Sequence, residues 1–247
     1  MDKIKNILIS YWFSKIDYNP KEKVEELENE LGSTFDTPFM YNEEVATHLF
    51  SMPRIQVMTQ NKSLLFQMSL INASVIINVD NLDNDDVILL INNYAQLFYD
   101  ALKEVYDLKF LYTSIKLEMD KETKDSSKYI TDILKIDESY EDISFKRGLI
   151  KDDYYINYIL NSGREYDFKF TKEENILEQD MFDQTMITPL KDAHKKREFV
   201  QMFVEINDRY AFNTIDEYSS GKDSIRGMII ELKEIINKKL YNKIEKK

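Results

Sequence analysis

The chain has no cysteine, which excludes disulfides, thiolate metal sites, iron–sulfur clusters and cysteine nucleophiles together. That absence fits a reducing cytoplasm. Glycine is scarce too, with five in 247 residues: Gly32, Gly148, Gly163, Gly221 and Gly227. None stands in GxxxxGK[ST] or GxGxxG spacing, so a P-loop and a Rossmann dinucleotide site are excluded; both need glycine where backbone N–H groups approach phosphate. SSGKDS, 219–224, ends like a P-loop but lacks the upstream glycine and a hydrophobic strand directly before it. Only two histidines occur, His48 and His194, far apart and without ligand-spaced partners. HExxH and the G-x-S-x-G elbow are absent, which removes zincin and α/β-hydrolase chemistry. His194 lies among Lys191, Lys195, Lys196 and Arg197, whose like charge disfavours an imidazolium; a general base and an ordinary surface histidine both fit that setting. No apolar run approaches the roughly 20 residues that span a bilayer. The opening MDKIKNILISYWFSKIDY is broken by Ser10 and Ser14 and does not read as a signal peptide. A soluble, cytoplasmic protein is the expectation.

What is present is a globular composition, 43% hydrophobic and 13% aromatic, far from the profile of a disordered chain. Acidic residues outnumber basic ones 45 to 33, for a formal net charge of −12. Such a surface repels phosphate backbones, so general nucleic-acid binding is disfavoured. Two stretches run against the trend, KDAHKKRE at 191–198 and NKKLYNKIEKK at 237–247; both read as solvated helix ends, with a local nucleic-acid contact as the competing reading.

Periodicity gives the elements. Residues 7–16 alternate as a strand with one face buried. NPKEKVEELENELG carries a capping pattern at Asn19, Pro20 and Glu22, and an apolar stripe of Val24, Leu27 and Leu31. RIQVMTQ and SLLFQMSLI read as a hairpin, with VIINV a third strand after a turn at Asn72, Ala73 and Ser74. A long amphipathic helix is expected from about Asp85 to Val105. A strand, KFLYTSIKLEM, follows, with Leu111, Thr113, Ile115, Leu117 and Met119 facing inward. Polar residues 119–128 suggest a boundary, dividing the chain into halves 1–120 and 121–247 that either stand apart or share one core. The second half holds ISFKRGL, then DYYINYILNSGREYDFKF turning at Asn161, Ser162 and Gly163, an acidic partly helical stretch TKEENILEQDMFDQ, the strand FVQMFVEIN and a last helix. The fold class is α+β: antiparallel sheet with long amphipathic helices packed on one face. Val75–Leu102 and Val204–Ile236 are each strand, polar loop, helix. They are either one unit used twice or two instances of a common motif.

Two stretches, and carboxylate pairs as a class, are candidates for chemistry. DNLDNDD offers Asp80, Asp83, Asp85 and Asp86 as oxygen ligands for calcium or magnesium. The EF-hand pattern fails there, with Asp86 at the glycine position and Asn92 in place of the bidentate glutamate; capping of the long helix by Asp83, Asn84 or Asp85 is the competing reading. In INDRYAF, Arg209 at a strand end suits a carboxylate or phosphate with Tyr210 stacking beside it, or pairs with a surface acid. Close carboxylate pairs are inevitable among 45 acids but cannot be located.

ILISYWFSKIDYNPKEKVEELENEL, LINNYAQLFYDALKEVYDLKFLYTSIKLE and FVEINDRYAFNTIDEY with the terminal helix together resemble a sporadically distributed bacterial family of unassigned function. The likeness lies in length and in a final strand that closes on an acidic residue before a C-terminal helix. YTSIKLE departs from that family's arginine-rich strand. The resemblance implies phage–host or mobile-element biology and assigns no catalytic residue. The expected function is a non-enzymatic protein that binds another protein, without a cofactor. A metal-dependent or carboxylate-based hydrolase and an acidic nucleic-acid mimic acting as an inhibitor are the alternatives.

Overall fold

The computed structural model describes residues 3–16, 21–42, 48–79, 82–136, 142–167 and 194–237. In chain order these form β1 (Lys3–Phe13), α1 (Lys21–Leu31), β2 (Met40–Tyr41), β3 (Ile55–Met58), β4 (Leu64–Met68), β5 (Asn72–Asn78) and α2 (Asn84–Tyr106). They continue as β6 (Phe110–Glu122), α3 (Ser126–Leu134), β7 (Ser144–Lys151), β8 (Tyr154–Asp167), β9 (His194–Asn207), α4 (Arg209–Thr214) and α5 (Lys222–Asn237). All nine strands join one antiparallel sheet, ordered β2-β3-β4-β5-β1-β6-β9-β8-β7. The expected α+β class is what the chain adopts.

The strand order is symmetric about the central antiparallel pair β1–β6. Read outward, β1 is followed by β5, β4 and β3, and β6 by β9, β8 and β7. Each half is strand, helix, three strands, helix. The first half adds the short edge strand β2, and the second inserts α4 before its last helix. The repeat is therefore in the topology, with little trace in residue identity. Its division falls at 107–109, between α2 and β6; the expected division at 120/121 cuts through β6. Residues 119–122 stay in the ladder because Met119, Asp120, Lys121 and Glu122 pair with Met202 through Phe199. One hydrophobic core spans both halves.

Alternation decides which side of the sheet is covered. Ile7, Ile9, Tyr11 and Phe13 of β1 are buried against the helices, with Ile115 and Leu117 of β6 and Val204 and Ile206 of β9 beside them. On α2, Val87, Ile91, Ala95, Phe98 and Leu102 form the buried stripe at helical spacing. Asp83 caps this helix, accepting from the Asp86 N–H at 2.9 Å, and Asp107 ends it in the left-handed conformation.

Several boundaries differ from the sequence reading. Asn72, Ala73 and Ser74 lie in β5, paired with Trp12, Tyr11 and Ser10. A register shift between Trp12 and Phe13 sets Phe110 opposite Phe13, so Phe110 reaches the core in place of Leu111. β8 runs straight through Asn161, Ser162 and Gly163; the hairpin turns instead at Asp152, whose φ is 53°. Gly163 is needed for close approach, since a Cβ there would come within 2.7 Å of the Phe199 ring. Residues 194–198 are strand, not a helix end. The helix α3, the strand β2 and the short α4 have no counterpart in the sequence reading. TKEENILEQDMFDQ and the tail 238–247 lie outside the described residues.

Candidate functional site: a cleft on the open face of the sheet

The residues that alternate with the core set point to the opposite side of the sheet, which no described long helix covers. On β1 these are Asn6, Leu8, Ser10 and Trp12; register places them beside Glu118, Lys116, Ser114 and Tyr112 of β6. Across the middle of this face runs a cleft of about 650 Å³, its floor made by Ser10 and Ser114 and its sides by β7, β8, β9 and α4. The two serines sit directly opposite each other. Small side chains at the centre of the sheet, with Trp12, Tyr112 and Tyr155 around them, are what create the depression. A smaller hollow of about 280 Å³ continues it along Leu8, Ile76 and Lys116.

The aromatic side of the cleft is ordered by stacking. Trp12 and Tyr112 lie nearly parallel, 5.5 Å between centroids at 17°. The Arg209 guanidinium lies 5.6 Å from the centroid of the Tyr112 ring. Burial pushes the Tyr112 hydroxyl pKa up, while Arg209 acts in the opposite direction. Lys116 stands over the Phe203 ring at 4.1 Å. Its cross-strand neighbour is Glu205, yet Glu205 is held by amides: Asn157 donates at 3.3 Å and Asn207 at 3.1 Å. Among the described residues Lys116, Lys146 and Arg209 make no ion pair.

Beneath the cleft a buried carboxylate fixes the junction of β9 and α4. Alternation sends Asn207 up into the cleft and Asp208 down, where it is wholly buried. Asp208 accepts from the Thr113 N–H at 2.6 Å and from the hydroxyls of Tyr218, Ser220 and Ser224 at 2.7, 2.5 and 2.6 Å. Four donors satisfy the charge at a depth where an unpaired carboxylate would be prohibitive. Burial, with the Asp208 charge adding to it, pushes the Tyr218 phenol well above its ordinary pKa and keeps it a donor. This arrangement holds the strand end and the start of α4 in place, and so positions Arg209 and Asn213 on the cleft wall.

The candidate residues from the sequence are scattered. Arg209 lies on the cleft, but its ring partner is Tyr112; Tyr210 meets Tyr155 edge-on at 5.4 Å. Asp83 is occupied as a cap, and Asp85 pairs with Lys233 at 2.9 Å. Asp86 lies in the first turn of α2, and Asp80 lies outside the described residues. Among the described residues no three acidic or histidine side chains converge on a possible metal position. His48 is exposed. Sequence reasoning missed Tyr112, Lys116, Lys146 and Glu205, although the signal was present in the polar positions that alternate with each apolar one. Among the described residues no helix is long and apolar enough to cross a membrane. Neither a scan against protein-family models nor a search of curated proteins finds a match to this chain.

Proposed function

We propose that this is a binding protein that holds another protein against the open face of its sheet. The observation that carries the reading is the contrast between the two faces: the helices cover one, while no described long helix covers the other, whose β5–β4–β3 part carries amides and aliphatic side chains without charge. In a chain that is 32% charged, the β5–β4–β3 part of this face presents Ile76, Leu65, Gln67, Gln56 and Met58. Depletion of charge is what sets the core of an interface apart from the rest of a surface. Nine strands at about 4.8 Å spacing make the face roughly 40 Å wide, enough for the ~800 Å² per partner of a standard interface. The net charge of −12 disfavours a polyanionic partner for this surface. Phage–host conflict, the setting implied by the family resemblance, is part of the proposal and supplies the lysates to test.

The test is capture from nuclease-treated host lysate with three baits: wild type, Leu65→Asp with Ile76→Asp on the open face, and Lys222→Glu on the helical side. A stoichiometric protein retained by wild type and Lys222→Glu but lost from the open-face variant is expected. A partner that ignores the open-face change, or whose binding collapses steeply with salt, would overturn the assignment and point to the acidic helical side. Capture of no protein by any bait would also count against it.

A further inference from the structure

From the cleft itself we infer a second ligand, independent of any protein partner: a small phosphorylated nucleoside. Three cations, Lys116, Lys146 and Arg209, line one cleft in a chain with twelve more acidic than basic residues. A surface this acidic ordinarily neutralises its cations, as Lys233 with Asp85, Lys222 with Asp100 and Lys195 with Glu198 illustrate. The cleft cations differ. Lys116 faces Glu205 in register but sits over Phe203, and Glu205, among the described residues the only carboxylate lining the cleft, is bound by Asn157 and Asn207. The local charge of the cleft is therefore positive, against the sign of the whole molecule.

The remaining lining sets the rest of the ligand. Trp12 and Tyr112 provide flat aromatic surface beside the cations, and Ser10, Ser114 and Asn213 add neutral donors and acceptors. A phosphate suits the guanidinium and ammonium groups, a planar heterocycle suits the rings, and side-chain amides suit its edge. The volume of about 650 Å³ lies within the usual range for small-molecule sites and accommodates a mononucleotide. A compact ligand with two charges responds to the cations within about 8–10 Å, whereas a polynucleotide would meet the acidic remainder of the surface. This separates a free nucleotide from nucleic acid and assigns the site to the former.

The experiment is isothermal titration of the purified chain with the four ribonucleoside monophosphates, with adenosine and inorganic phosphate as the two separated parts. At least one monophosphate is expected to bind with a Kd below about 1 mM, and adenosine and phosphate at least tenfold more weakly. Arg209→Ala and Lys116→Ala should each weaken binding about tenfold with the circular dichroism spectrum and Tm unchanged, whereas Lys233→Ala, on α5, should leave it intact. Phosphate binding as well as the nucleotide would overturn the nucleoside part of the assignment. No binding by any monophosphate, or binding untouched by both cleft variants, would overturn the site. A single-stranded oligonucleotide binding more tightly than the mononucleotide would replace the ligand class by nucleic acid. None of these results depends on whether a protein is captured by the outer part of the face.

Discussion

The two halves of the sheet share a strand order but fasten their helices by different physics. In the first half the contacts are apolar: Phe66 of β4 stacks on Phe98 of α2 at 5.2 Å, and Phe35 meets the same ring edge-on at 6.1 Å. Val24, Leu27 and Leu31 seat α1 against this cluster, and the chief polar tie is the Tyr11 hydroxyl donating to the Ala95 carbonyl at 2.6 Å. In the second half carboxylates do the fastening. Glu198 of β9 accepts from the Ser126 N–H at 2.6 Å and from its hydroxyl at 2.9 Å, capping α3 from a neighbouring strand. Asp208 ties the strand end to the residues leading into α5, and Glu231 on α5 receives Lys151 of β7. One topology thus tolerates two kinds of fastening. The apolar kind is indifferent to pH, whereas the carboxylate kind depends on both pH and exact geometry.

The largest effect is expected at Asp208. Asp208→Ala leaves a buried N–H and three hydroxyls without their common acceptor, at a cost of about 4 kcal/mol in urea unfolding. A loss under about 1 kcal/mol would show that the junction does not depend on this carboxylate. On the other side of the comparison, Phe98→Ala removes a ring that meets Phe35, Phe66 and Tyr94 and should cost about 3 kcal/mol. Its penalty should be the same at pH 3.5 and pH 7, because the contacts it removes are between aromatic rings.

Glu198→Gln sharpens the contrast. Burial would raise the Glu198 pKa, but hydrogen bonds from Lys195 and from the Ser126 backbone and hydroxyl overcome that and pull it down to about 2. With the folded pKa below the unfolded value near 4.5, the unfolded chain binds the proton first. The stabilisation is present above pH 4.5 and is lost as pH falls toward 2. Glu198→Gln should therefore cost about 2 kcal/mol at pH 7 and progressively less across that acid window. A penalty that stays constant from pH 7 to pH 3 would mean that Glu198 contributes shape and not charge.

Much of the architecture was legible because alternation and helical spacing report burial directly. α1, α2, β6, β9 and α5 stand close to where their patterns place them. Errors arose where one residue type serves two purposes. Gly163 within an Asn-Ser-Gly triplet reads as a turn, yet its function is to clear the Phe199 ring. The basic run before Phe199 reads as a helix end, but ladder pairing with β8 holds it extended. α3 has a local cap, Asp125 accepting from the Lys128 N–H at 2.8 Å, and a second acceptor in Glu198, 72 positions away, which no local pattern shows. The cleft was the least legible feature. Its residues come from five strands and α4, and their convergence follows from a strand order that no local pattern encodes. Arg209 was visible as a cation at a strand end; that it lies over Tyr112 could not be read without the β6–β9 pairing.

The smallest effect lies within the second half and tests whether every polar group there is part of the fastening. Tyr158 of β8 points into the core at 1% exposure, and its hydroxyl has no hydrogen-bond partner among the described residues. Burial, with the Glu231 charge adding to it, pushes its pKa up to about 12. A buried hydroxyl without a partner costs free energy that a phenyl ring does not. Tyr158→Phe should therefore be neutral or raise stability by about 0.5–1 kcal/mol, the opposite sign to Asp208→Ala. Because the folded pKa exceeds the unfolded value of 10.0, wild type should lose stability as pH rises from 10 to 12, and the variant should lose less. A destabilisation by Tyr158→Phe would instead place this hydroxyl among the polar ties of the second half, which would then rest on one more buried polar group than Glu198, Asp208 and Glu231.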